Sequence, residues 1–343
     1  MDLTNPETYS RILAICEDLS ILIGVYMVAT KILYFYFNQQ KIGGMLKILE
    51  DRFLALGESR DQRICRMQRF CYFQETILFL MNYFNGVMLA MSFPIQPLFA
   101  AKTMMPHRAR FPFDTSDTGS LKFIGAYIFQ SIIFLYLIQG ITFVDNIGVC
   151  TLNESMLHVK VVAHKFSQLR LNSDDDKKGA HKANSTAVEY RQLIACVKEH
   201  QDIYELTSQL NALHRPMFVV QIMASTLIIC LTAFIATVTK DMTVFVKYLT
   251  EMIAAFAQLL YWCWVGNKMF AESPDVAQAV YGCEWYQMDM KFKIATMHII
   301  RRAQKPIRYQ AGALFQINFN TFIAILRGSY SYCMLLKSFE IEE

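Results

Sequence analysis

Residues 76–101, 123–144 and 217–239 each run for more than twenty positions without a single Asp, Glu, Lys or Arg. A helix needs about 20 mostly apolar residues to cross ~30 Å of hydrocarbon. Three such runs in one chain point to a polytopic membrane protein. Composition agrees: of 343 residues, 54% are hydrophobic and only 18% charged, against about 25% charged in soluble domains. Three further segments extend the series. Residues 18–37 are apolar apart from Asp18 and Lys31, and residues 248–267 hold Glu251. Residues 309–336 carry Gln316, Asn318, Asn320 and Arg327. The expected fold class is therefore all-α, a polytopic membrane helical bundle with six spans.

Lys and Arg in short loops favour the cytoplasmic side. Residues 38–71 hold seven, 147–216 hold nine and 268–308 hold seven. The alternate connections hold none in 1–8, three in 101–118 and two in 240–247. This places both ends of the chain outside. An outside N-terminus without a signal peptide suggests one helix missing in front. Seven spans with the N-terminus inside would be the reverse of a G-protein-coupled receptor.

The segments assigned to the cytoplasm carry helical patterns. Leu193, Cys196, His200, Ile203, Leu206, Leu210 and Leu213 step by three and four, forming one mostly apolar face with His200 as a packing residue. Residues 155–170 read as a second helix, and 286–302 as an amphipathic one bearing Met288, Phe292, Ala295, Met297 and Ile299. Such helices either pack together or lie on the lipid surface. Between the first two, "LNSDDDKKGAHKANST" reads as a flexible loop. The organisation is then 1–154 with three spans, 155–216 cytoplasmic helices and loop, 217–268 two spans, 269–308 a cytoplasmic helix, and 309–343 the last span with its tail. Sequons at Asn153 and Asn184 fall on the cytoplasmic side and should be unmodified. The nine cysteines show no C-x-x-C or Cys/His zinc spacing, so neither a disulfide framework nor a metal is expected, and no cofactor is indicated.

The last span is amphipathic in an unusual way. Asn320, Ala324, Arg327, Ser331, Leu335 and Ser338 step by 4, 3, 4, 4 and 3, so they share one face, small or polar except at Leu335. Ser, Gly and Asn serve helix–helix seams. The alternative is a pore wall, narrowed by Leu335 as a constriction that gates by dewetting.

"SYCMLLKSF" resembles the C-terminal signature of the insect chemoreceptor superfamily: Thr-Tyr, five mostly apolar residues, then Gln-Phe. Ser331 and Tyr332 stand at the Thr-Tyr, Ser338 replaces the Gln, and Phe339 matches. Lys337 is a polar intrusion. "FPFDTSDTGSLKFIGAYIFQ", "CVKEHQDIYELTSQLN", "VAQAVYGCEWYQM" and "RRAQKPIRYQAG" are similar, in order, to segments of the insect odorant receptor branch. That family's first span has no counterpart here.

The resemblance implies an odorant-binding subunit of a tetrameric ligand-gated, non-selective cation channel in the plasma membrane of olfactory sensory neurons. Its implied partners are a volatile organic ligand, a shared co-receptor subunit and membrane lipid, with no nucleic acid. It makes Leu335 the gate, puts Ser331 and Ser338 on the pore side, and gives the cytoplasmic helices the role of a tetramer anchor. It also sets the ligand site in the outer half of the bundle. There the sequence offers Tyr9, Leu13 and Cys16, then Val87, Met88 and Met91, then Tyr127 and Gln130, and finally Tyr248, Met252 and Phe256. A gustatory-type channel working without the co-receptor is the alternative. A transporter would be expected to show repeats, and an enzyme a nucleophile–base pair; neither stands out.

Overall fold

The computed structural model describes residues 6–99, 105, 111–114, 117–169, 180–239, 241–313 and 315–341; within the helices, the side chains of residues 6–10, 93, 96–99, 180–187 and 335–341 lie outside that description. The chain is an all-α polytopic bundle. Its elements are α1 (Pro6–Phe37), α2 (Gln39–Gly57), α3 (Gln62–Phe99), α4 (Leu121–Ser167), α5 (Ala180–Val238), α6 (Met242–Glu272), α7 (Asp275–Tyr281), a 3-10 turn, α8 (Met290–Ala303), a hairpin of β1 (Gln310–Ala311) and β2 (Phe315–Gln316), and α9 (Phe319–Ile341). Among the described residues four helices are long and apolar enough to cross a membrane, lying in Arg11–Phe37, Leu121–Ser167, Val188–Val238 and Met242–Gln287. The expected spans at 76–101 and at the C-terminus fall on α3 and α9.

Helix starts follow from side-chain caps, which satisfy N–H groups that have no partner within the helix. Ser120 Oγ accepts from the Phe123 amide, Asp241 from Thr243, Asp289 from Phe292 and Asn318 from Thr321. The Asn318 cap marks a departure from the sequence reading. Gln310–Ala311 and Phe315–Gln316 do not begin the last span; they pair as an antiparallel hairpin with Ala311 opposite Phe315. Gly312 turns it at φ +65, a conformation that strains residues with a Cβ. The hairpin is pinned to α5, where Arg215 Nε donates to the Gly312 carbonyl (2.8 Å) and Asn211 Oδ1 accepts from the Gln310 amide (2.9 Å). Gly266 lets α6 approach this link, since a Cβ there would meet the Ile317 carbonyl oxygen at 2.1 Å.

Burial is uneven along the bundle. One continuous core joins the second half of α4, most of α5, the end of α6, α7, α8 and the hairpin, with Leu152, Phe166, Leu193, Ile203, Trp262 and Phe292 fully buried. The opposite end exposes Leu22, Tyr26, Phe129, Ile132 and Tyr136, the expected outer face of helices solvated by lipid rather than water. The most apolar stretch of α5 is central and that of α4 peripheral: 50% of the 18-residue stretch in α5 is buried, but only 11% of that in α4.

The helical segments between spans pack rather than lie loose. Leu193, Cys196, Ile203, Leu206 and Leu210 are buried, and His200 stands edge-on to Phe166 at 6.3 Å. In α8 the buried face is Phe292, Thr296, Ile299 and Ala303, while Met297, read from sequence as part of the apolar side, is exposed. Part of the expected loop is also helical, because α5 already begins at Ala180. Asn153 is 1% exposed and donates to Glu75 Oε1 at 3.0 Å, so in the folded chain it cannot accept a glycan. The Asn184 side chain lies outside the described residues.

In this packed layer His158 is buried, and burial together with Arg52 and Lys165 pushes it down to about 4. A base whose folded pKa is depressed stays neutral in the native state while the unfolded chain takes up a proton. Stability from this site is therefore complete above about 6.5 and falls as pH drops from there through 4. The purified protein should melt at progressively lower temperature from pH 7 to pH 4.5. His158→Leu should flatten that slope, and an unchanged slope would refute the assignment.

Candidate ligand cavity

Five helices leave a cavity of about 100 Å³ between them. α1 lines it with Ser20, Gly24 and Val28, and α3 with Asn82, Gly86 and Leu89. α4 contributes Phe134, Ile138 and Ile141, α5 Ile228, and α6 Glu251, Ala255 and Gln258. The wall is mostly apolar with a few polar groups, the usual make-up of a small-molecule site. Gly86 creates part of the space, because a Cβ there would lie 2.5 Å from Thr142 Oγ1.

Next to the cavity lies a buried polar network. Gln258 on its wall donates to Asp145 Oδ2 at 2.6 Å. Asp145 Oδ1 pairs with Lys31 Nζ at 2.7 Å, the two side chains being 0% and 1% exposed. Lys31 also donates to Gln221, whose amide donates to Ser225 Oγ at 2.6 Å. Its ammonium lies 5.7 Å from the Trp262 ring centroid. Beside it, Asn146 Oδ1 accepts from Asn82 (3.0 Å) and from Tyr261 (2.7 Å). A lone charge in a span is costly, and such residues pair with each other or face a cavity. Here α1, α4, α5 and α6 are tied by one ion pair with its hydrogen bonds. Lys31 stood out in the sequence, whereas Asp145 falls one residue past the charge-free run 123–144.

The residues picked from sequence as pocket candidates lie on the same helices, and none of those with described side chains lines this cavity. Leu13 and Cys16 are half-buried on α1, toward the N-terminus from Ser20. Val87 is half-buried, and Met88 and Met91 are exposed. Tyr127 donates to the Pro94 carbonyl and so joins α4 to α3, and Gln130 is half-buried. Tyr248 is fully buried, Met252 is half-buried, and Phe256 packs on the main core. The Tyr9 side chain lies outside the described residues.

On α9 the buried side is Ile325, Ser329 and Cys333. The polar stripe faces away from it: Asn320, Ala324, Arg327 and Ser331 are all exposed, and Ser331 Oγ donates back to the Arg327 carbonyl at 2.9 Å. Tyr332 is 61% exposed. Up to Ser331 the stripe is thus not a seam within one chain. The side chains of Leu335, Ser338 and Phe339 lie outside the described residues.

A bundle of long apolar helices that encloses a small apolar cavity, extends into a packed helical layer and leaves a polar stripe on its last helix is a polytopic membrane receptor by build. The 7tm Odorant receptor family matches residues 11–330, and the chain belongs to that family. Among its relatives, odorant receptor 47b of Drosophila melanogaster is 25% identical over 97% of this chain and 79% of its own length. Odorant receptor 65a of the same species is 24% identical with the same coverage, and odorant receptor 10 of Aedes albopictus is 24% identical over 81% and 72%. The fold is that of the insect olfactory receptor OR5 from Machilis hrabei, solved in complex with eugenol, with a TM-score of 0.78 at 15% identity over 95% of this chain and 82% of that one. A second structure of that receptor superposes with a TM-score of 0.79.

Proposed function

We propose that this odorant receptor is the odorant-binding subunit of a ligand-gated, non-selective cation channel, assembled as a tetramer with a shared co-receptor subunit in the plasma membrane of olfactory sensory neurons. The packed layer of α7, α8 and the adjoining parts of α4 and α5 is then cytoplasmic and anchors the tetramer, while α9 lines the pore with Ser331, Leu335 and Ser338. The cavity takes a small volatile molecule. The observation that carries the reading is this cavity, mostly apolar and walled by five helices of one chain, in a family whose solved relative holds eugenol. The exposed polar stripe on α9 supports the pore. A volatile ligand with few polar atoms gains mainly from burial, roughly 25 cal/mol per Å², which sets micromolar affinity as the expected ceiling.

The test is odour-evoked current in cells expressing the receptor with the co-receptor subunit. Ligand should evoke a cation current that is absent when the receptor is expressed alone. Current from the receptor alone would favour a gustatory-type channel. Silence across a broad odour panel, with the protein confirmed at the cell surface, would overturn the proposal.

A further inference from the structure

Among the described residues Glu251 is the only acidic side chain on the cavity wall. Its Oε2 is sealed from solvent and has no hydrogen-bond partner. The other polar side chains on the wall each donate a hydrogen bond to the protein. Ser20 Oγ donates to the Glu17 carbonyl at 2.9 Å and Thr142 Oγ1 to the Ile138 carbonyl at 2.8 Å. Asn82 donates to Asn146, Asn85 to the Ala254 carbonyl, and Gln258 to Asp145. Among the described side chains of the wall, Glu251 Oε2 is thus a buried oxygen left without a partner, in a cavity lined mostly by groups such as Ile21, Val25, Leu137 and Ile228. A buried acceptor left without a donor costs about 1–3 kcal/mol, more when charged, and an incoming donor recovers that cost.

We infer that this receptor selects small alcohols, the ligand hydroxyl donating to Glu251 Oε2 while its hydrocarbon body fills the apolar part of the cavity. A hydroxyl brings one donor to one acceptor. An ammonium brings three donors and a larger desolvation cost, which a mostly apolar wall meets poorly. The volume sets the size: about 100 Å³ is below the ~300–1,000 Å³ of drug-sized sites, so the ligand has a short carbon skeleton. The inference rests on the cavity being the odorant site and adds the chemistry that site selects.

The experiment is equilibrium binding to the purified full chain, read by calorimetry, with five compounds matched in non-hydrogen atom count: 1-hexanol, 1-methoxypentane, heptane, hexylamine and 2-hexanone. 1-Hexanol should bind at least about tenfold tighter than 1-methoxypentane, the effect of one hydrogen bond to a buried carboxyl group. Glu251→Gln, which keeps a carbonyl acceptor, should preserve that ratio. Glu251→Met should bring it within about twofold. Equal binding of alcohol and ether, an unchanged ratio in Glu251→Met, tighter binding of hexylamine or 2-hexanone than of 1-hexanol, or no binding by any of the five would each overturn the inference. If the binding pattern holds but no odour-evoked current is found, the channel reading fails and the alcohol selectivity stands.

Discussion

Replacing Lys31 with Met will strip most of the folded receptor from detergent extracts, and adding Asp145→Leu will bring much of it back. The pair is fully buried, with Nζ and Oδ1 2.7 Å apart. Removing one member leaves the other charged group without its counter-charge in a dry interior, a loss of about 3–5 kcal/mol. Against a total margin of about 5–15 kcal/mol, that is a large share. Replacing both by apolar residues removes the desolvation penalty together with the attraction, and such exchanges are commonly neutral or stabilising. The double variant should therefore melt well above either single one, and the coupling read from the cycle should exceed about 2 kcal/mol. Equal melting of the wild type and both single variants would refute a structural role for the pair. Asp145 also holds Gln258 on the cavity wall, so Asp145→Asn should alter ligand affinity even where the fold survives. Gln221 and Ser225 continue the network into α5, the helix that packs against α9.

The spans were legible because a charge-free run of more than twenty residues has few other homes. The helical packing between the spans was legible for a related reason: the three-and-four spacing of Leu193 through Leu210 fixes a face, and that face is the one buried. What the pattern left open was rotation. On α6, Tyr248, Met252 and Phe256 and the pocket residues Glu251, Ala255 and Gln258 are two equally regular helical series. Periodicity defines both and cannot choose which turns inward, because that depends on the crossing of neighbouring helices. In lipid, hydrophobicity does not separate the inside from the outside of a bundle either. The hairpin was hidden by a different cause. Its apolar residues Ala311, Phe315 and Ile317 continue the composition of the span, and the signals against helix were Gly312 and the cap at Asn318. The network was half legible: Lys31 is conspicuous inside an apolar run, but Asp145 ended a run and looked like an interfacial residue.

Leu335→Ser should leave the proposed channel leaking without ligand. The argument starts from α9, where Ile325, Ser329 and Cys333 face the bundle and Asn320, Arg327 and Ser331 face away. Leu335 follows Ser331 by four residues, so helical spacing continues the same stripe to it. In the proposed tetramer that stripe faces the axis, and Leu335 is the apolar interruption where water and ions would be expelled. A Leu side chain buried in the closed gate contributes about 1.5–3 kcal/mol. Losing that in even one subunit shifts the closed–open balance by about tenfold or more, since each 1.4 kcal/mol is a factor of ten. Basal current normalised to surface protein should rise by at least about that factor, and the further increase evoked by ligand should shrink. Leu335→Ile keeps the apolar volume and should remain closed. If Leu335→Ser reaches the surface, responds to ligand and shows no more basal current than the wild type, the gate lies elsewhere on α9 or is formed by the co-receptor subunits alone.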